Sequence, residues 1–168
     1  MNGLLGMLDP TNSSRTTSQA EMDFMIAEKA YSKGDFSTAV QYLRKSADAG
    51  FAAAQNNLGM AYDTGEGVQA DANEALKWYT KAAKQDYTEA FNNIGCLYNE
   101  YQQYAEAFQY FSKAAAKGHS SGQLNLGLQY VNGMGVNQNM SEGIAWLKKS
   151  AAQGNSGAVS VLRELNVL

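Results

Sequence analysis

The stretch QNNLGMAYDTGEGV, residues 55–68, ends in Gly-Glu-Gly, and a glycine pair after an apolar run can open a phosphate-binding loop. It also holds two adjacent asparagines within a segment of helical spacing. The phrase is not unique in the chain. FNNIGCLY (91–98) and QLNLGLQY (123–130) repeat QNNLGMAY (55–62), with Asn, an apolar residue, Gly and a closing Tyr in register. Gly59 and Gly95 lie 36 residues apart, Gly95 and Gly127 lie 32 apart, and Ala27 stands 32 residues before Gly59 in the weaker copy FMIAEKAY (24–31). A second block follows each first one: AVQYLRKSADAG (39–50), ALKWYTKAAKQD (75–86), AFQYFSKAAAKG (107–118) and GIAWLKKSAAQG (143–154). Its steps are 36, 32 and 36 residues, so the two blocks move together and the unit is a helix pair.

Both blocks carry helical periodicity. Ala75, Trp78, Tyr79, Ala82 and Ala83 fall at i, i+3, i+4, i+7 and i+8, one face of a helix. Each second block closes at Gly50, Asp86, Gly118 or Gly154, where a left-handed residue ends a helix with little strain. Lysines 45, 81, 84, 113, 117, 148 and 149 lie late in these helices, where the helix dipole favours cations. The four-residue difference between steps sits in the loops: residues 63–71 and 132–140 are longer than the links 32–37 and 99–104. One such pair cannot bury its apolar face alone, whereas stacked pairs form a quasi-linear solenoid. We therefore expect an all-α, right-handed α-solenoid of about four repeats (20–50, 51–86, 87–118 and 119–154), a capping helix in 155–168 and a flexible segment over 1–19. The glycine pair of residues 65–67 follows a helix, recurs as GMGV at 133–136, and has no Gly-Lys-Ser/Thr after it. It reads as a turn between paired helices rather than a phosphate loop, with Val68 and Val136 tucked back on the core.

Bulk properties narrow the function classes. The 168 residues suit one domain, and 45% hydrophobic with 17% charged residues is an ordinary globular composition. Thirteen basic against sixteen acidic residues give a net charge of −3, which argues against nucleic-acid binding. One cysteine, Cys96, permits no intrachain disulfide and fits a reducing compartment, so we expect a cytoplasmic protein. No secretory signal is read at the N-terminus, and no run reaches the length of a membrane span.

The motifs resemble those of Sel1-like repeats, relatives of the tetratricopeptide repeat. Repeat two carries the pattern at Ala54, Leu58, Gly59, Tyr62, Gly65, Gly67, Val68, Asp71, Ala75, Trp78, Lys81, Ala82 and Ala83, with Glu74 in place of the usual Lys. Repeat four carries it at Leu126, Gly127, Tyr130, Gly133, Gly135, Val136, Trp146, Lys149 and Ala151, with Ser150 in place of Ala. Repeats one and three lack the Gly-x-Gly loop and look closer to plain tetratricopeptide units. In such solenoids the first helix of each pair lines a concave groove. The resemblance thus implies a partner-binding groove built from Phe24, Glu28 and Tyr31; Asn56, Asn57, Met60 and Asp63; Asn92, Asn93, Cys96, Asn99 and Glu100; and Leu124, Asn125, Leu128 and Val131.

The column Asn57, Asn93 and Asn125 keeps step with the glycines, and an Asn side chain both donates and accepts. Two readings stay open: these residues hold the backbone of an extended peptide, or they bond the neighbouring helix. Among the Lys and Arg residues, Lys29 alone falls on a first helix as bounded here, against Glu21, Glu28, Asp63, Glu89 and Glu100. A groove without cations does not grip a C-terminal carboxylate, and a partner with basic and apolar groups suits it better.

The sequence offers no catalytic or metal constellation and implies no cofactor. The one histidine, His119, sits at a turn and reads as a cap, and Cys96 has no base beside it in the sequence. Some cysteine-rich Sel1-like proteins are linked to β-lactam binding, but they carry paired cysteines that are missing here. The reading is a non-catalytic protein-protein interaction module, a cytoplasmic bacterial adaptor or regulator, in a sharper form a neutraliser of a toxin or partner enzyme. The alternatives are a small-molecule-binding or hydrolytic protein and a self-associating scaffold.

Overall fold

The computed structural model describes residues 10–167, and among them every regular element is an α-helix. The order is α1 (Pro10–Tyr31), α2 (Phe36–Asp48), α3 (Ala52–Thr64), α4 (Ala72–Lys84), α5 (Thr88–Glu100), α6 (Tyr104–Ala116), α7 (Ser120–Asn132), α8 (Met140–Ala152) and α9 (Ser156–Glu164). Each helix packs on its neighbours in the chain, and the first helices α3 and α5 also touch each other. This is the connectivity of a solenoid, in which each unit buries its apolar face on the next. α1 starts at Pro10, upstream of the expected boundary at residue 20, so it carries Arg15 as well as Lys29. The rest of the expected flexible segment, residues 1–9, lies outside the described residues.

Local chemistry sets the ends. Asp35, Asp71, Asn139 and Asn155 cap α2, α4, α8 and α9 by accepting from backbone N–H groups in the first turn. His119 caps α7 the same way, its Nδ1 accepting from the Gly122 N–H at 3.1 Å. The second helices close on left-handed residues, Gly50, Asp86, Gly118 and Gly154, all with φ between 65° and 93°.

The long loops of repeats two and four have a packing reason for their glycines. Gly67 has φ +73°, and a Cβ there would lie 2.2 Å from the Phe36 carbonyl oxygen; at Gly135, φ +69°, it would lie 2.1 Å from that of Tyr104. Each loop presses its backbone on the start of the preceding repeat's second helix. Val68 packs on the core beside it, and Val136 is half-buried.

The helix glycines serve a different purpose. A Cβ on Gly59 would stand 2.6 Å from the Tyr79 ring, one on Gly95 2.6 Å from Phe111, and one on Gly127 2.8 Å from Leu147. The missing side chain admits a large residue of the partner helix. The core divides along the solenoid into three clusters, centred on Leu58, Tyr79 and Ile94, on Phe111 and Leu126, and on Leu147 and Leu162.

Candidate functional site

The asparagines of the first helices form a ladder between repeats. The Asn93 amide donates to Asn56 Oδ1 at 3.0 Å, and the Asn125 amide donates to Asn92 Oδ1 at 3.0 Å. Asn56 in turn donates to Asn57 Oδ1 at 3.4 Å. Asn56 and Asn92 are only 6% and 8% exposed, so their side chains serve packing between helices. The pairs join the residue at the second position of the Asn-Asn motif in one repeat to that at the first position in the repeat before, a diagonal that the column of matching positions does not reveal. Asn57 and Asn125 also face hollows on this side of the molecule.

Two such hollows open on the first-helix side, one of about 220 Å³ between α1 and α3 and one of about 270 Å³ between α5 and α7. They are the same hollow displaced by two repeats. Leu43 floors the first and Phe111, 68 residues on, the second; Met60 and Leu128 are walls at that same separation, and Asn57 and Asn125 match again. Glu28 of the first becomes Cys96 in the second, Tyr31 becomes Asn99, and Ser32 becomes Glu100, so each keeps one lining carboxylate. Among the described residues no lysine or arginine lines either. Over the first hollow, the Tyr31 hydroxyl donates to the Glu66 carboxylate, a bond that raises the tyrosine's pKa. The residue matching Glu66 is Met134, which lines the second.

The position between them differs. There the matching second-helix residue is Tyr79, and its hydroxyl donates to Asp63 at 3.3 Å. Partial burial pushes the Asp63 carboxyl above the usual carboxylate range, with the tyrosine bond pulling the other way. Burial, then the Asp63 charge, raise Tyr79 well above an ordinary phenol. Leu43 and Phe111 have no hydroxyl, so the floors of the two hollows make no such bond, and the Tyr31–Glu66 bond over the first hollow starts from its wall instead.

Of the residues read from the sequence, Glu28, Tyr31, Asn57 and Met60 meet in the first hollow, and Asn99, Glu100, Asn125 and Leu128 in the second. Asp63 and Asn93 lie between, and Asn56 and Asn92 are buried in the ladder. The floors Leu43 and Phe111 were missed, although their spacing of 68 residues on the second helices was a usable signal. Gln129 was missed too: 3% exposed, it donates to Asn99 Oδ1 at 2.9 Å, and its own Oε1 has no partner among the described residues.

Cys96 sits half-buried, 3.8 Å from the amides of both Asn92 and Asn125. Burial pushes its thiol up to about 11, the protonated and unreactive form at neutral pH. Among the described residues no group of His, Cys, Asp and Glu could hold a metal ion, and no helix is long and apolar enough to cross a membrane.

The second helices carry the opposite charge pattern. Lys45, Lys81, Lys113 and Lys149 lie over the rings of Tyr42, Trp78, Tyr110 and Trp146, each three residues earlier, at 3.7–4.9 Å from the centroid. By contrast α3, α5 and α7 have no basic residue in their last turns. Carboxylates line the two hollows, while stacked ammonium groups stand on the second helices, three of which also carry a glutamate, Glu74, Glu106 or Glu142, in the first turn.

Comparison with known proteins places this architecture. A family model described as Sel1 repeat matches residues 26–51, 52–87, 97–119 and 120–155. DAP3-binding cell death enhancer 1 of Rattus norvegicus is 32% identical over 172 residues, covering 79% of this chain and 34% of that protein. A crystal structure of a Sel1 repeat protein from Oxalobacter formigenes is similar with a TM-score of 0.76 and 31% identity, over 92% of this chain and 65% of that one. A protective antigen of uropathogenic Escherichia coli displaying an SLR fold gives 0.78 and 30%, over 88% of this chain and 34% of that one. The chain thus spans about one third of the length of the rat relative. Bacteria and a mammal both supply relatives, so the likeness does not single out bacteria.

Proposed function

The chain belongs to the Sel1 repeat family, whose members are generally protein-interaction modules, and on that premise we propose that it is a non-catalytic binder of a partner protein. The face that binds is the first-helix side, and the partner presents an extended segment with basic and apolar side chains. The observation that carries this reading is the pair of register-equivalent hollows, each with an apolar floor, a carboxylate and, among the described residues, no cation. An apolar stem ending in a positive charge suits such a hollow on both counts. Asn57 and Asn125, beside the hollows, supply polar groups for a peptide backbone. A thiol held protonated and the lack of clustered ligands among the described residues favour binding over catalysis. A lone cysteine fits the reducing cytoplasm, where such an adaptor, or a neutraliser of a basic partner enzyme, would act.

The test is affinity capture from the source cell's lysate with wild type beside a Glu28→Lys/Glu100→Lys variant. Both residues are exposed, so the substitutions leave the core alone. Replacing the asparagines is a poorer choice, since Asn93 and Asn125 hold helices together. A partner retained by wild type and lost by the folded variant supports the reading. A partner retained equally by both, and lost on Lys81→Glu/Lys149→Glu, moves the binding face to the second helices.

A further inference from the structure

We propose that the two hollows act together as a two-pronged clamp, reading one extended peptide segment that carries an arginine or lysine at two positions about six residues apart. This rests on the binding face proposed above and adds a spacing rule to it. The rule comes from the 68-residue equivalence. Leu43 and Phe111, Met60 and Leu128, and Asn57 and Asn125 present the same walls twice, two repeats apart. Packed helices lie 8–10 Å apart, so two repeats separate the hollows by about 20 Å. An extended chain rises about 3.3 Å per residue, and roughly six residues therefore bridge them.

At the centre the Asp63 carboxylate already holds a donor. The Tyr79 hydroxyl reaches across that position to Asp63, where Leu43 and Phe111 leave open floors. The clamp thus skips one repeat. Side chains at i and i+6 of an extended strand point to the same face, since the period is two, so one peptide can fill both hollows without twisting. The lining at each end fixes the chemistry. Glu28 in the first and Glu100 in the second supply a carboxylate, and Asn57 and Asn125 a side-chain amide. A guanidinium offers five donors on an apolar stem and matches this set.

The experiment uses synthetic peptides of Gly, Ser and Ala carrying two arginines from two to nine residues apart, titrated against the full chain by fluorescence anisotropy. Affinity should peak at a separation of about six residues, with single-arginine peptides at least about tenfold weaker, as for loss of one charge-assisted contact. Glu28→Gln and Glu100→Gln should each remove the advantage of the second arginine while leaving the melting curve unchanged. Binding that does not depend on spacing overturns the clamp and leaves the binding face standing. Binding that depends on spacing but survives both substitutions also overturns it. No binding by any peptide overturns both.

Discussion

The Tyr79 hydroxyl donates to the Asp63 carboxylate at 3.3 Å, at the position midway between the two hollows. Equivalent floors elsewhere are Leu43 and Phe111, which cannot make the bond. Removing the hydroxyl should free Asp63 as a third anchor. We expect Tyr79→Phe to admit arginine pairs three residues apart, at a stability cost of about 1 kcal/mol for the lost hydrogen bond. Peptide titration and chemical denaturation of the same variant check both parts.

Asp63 also gives a pH signature. Its folded pKa is raised above the ordinary carboxylate range, mainly by burial. The stability it contributes is present below the unfolded pKa and lost as pH rises through the folded one. Asp63→Asn keeps an acceptor for Tyr79 and removes the charge. Relative to wild type, the variant should gain stability between pH 4 and pH 7, measured by urea unfolding at both. A gain that is equal at the two pH values would show that burial does not act on this carboxyl.

Two glycines in one loop should respond unequally. Gly65→Ala meets only ordinary contacts, the nearest at 3.4 Å, so its cost is the left-handed strain of about 1 kcal/mol. Gly67→Ala drives a methyl to 2.2 Å from the Phe36 carbonyl oxygen and should cost about 3 kcal/mol or more. Equal losses in thermal unfolding would mean that the close approach of loop and helix is not what selects glycine.

Gln102 has φ +60°, while its two-repeat counterpart is Gly34 at φ +76°. Gln102→Gly should therefore stabilise the protein by about 1 kcal/mol, read as a higher urea midpoint.

The thiol of Cys96 lines the second hollow, and burial pushes it up to about 11 against an ordinary value of 9.0. At pH 8 the thiolate fraction, and with it the alkylation rate by iodoacetamide, should fall about 100-fold below a free cysteine. A bound two-arginine peptide should slow it further, whereas a ligand on the second helices should not.

Much of the fold was legible because it depends on local backbone needs repeated in step. The steps of 36 and 32 residues, the left-handed closures at Gly50, Asp86, Gly118 and Gly154, and the cap at His119 follow from residue type and spacing. The site was legible only in part. Residue columns named Glu28, Tyr31, Asn57 and Met60 as groove residues, but a column cannot show that they converge over Leu43 of another helix. Nor could it show that Asn93 bonds Asn56 rather than Asn57, because that choice depends on how far one repeat is rotated on the next. The role of the Tyr79 hydroxyl was hidden for a similar reason: at core spacing, Tyr, Phe and Leu read alike until the distance to Asp63 is known.

The central claim is that the first-helix face binds the partner. It is tested most directly by backbone amide NMR of the labelled chain, titrated with a peptide carrying two arginines six residues apart. The account predicts that shifted amides cluster on α1, α3, α5 and α7 around Glu28, Asn57, Glu100 and Asn125. Shifts confined to α2, α4, α6 and α8, or none at saturating peptide, would contradict it.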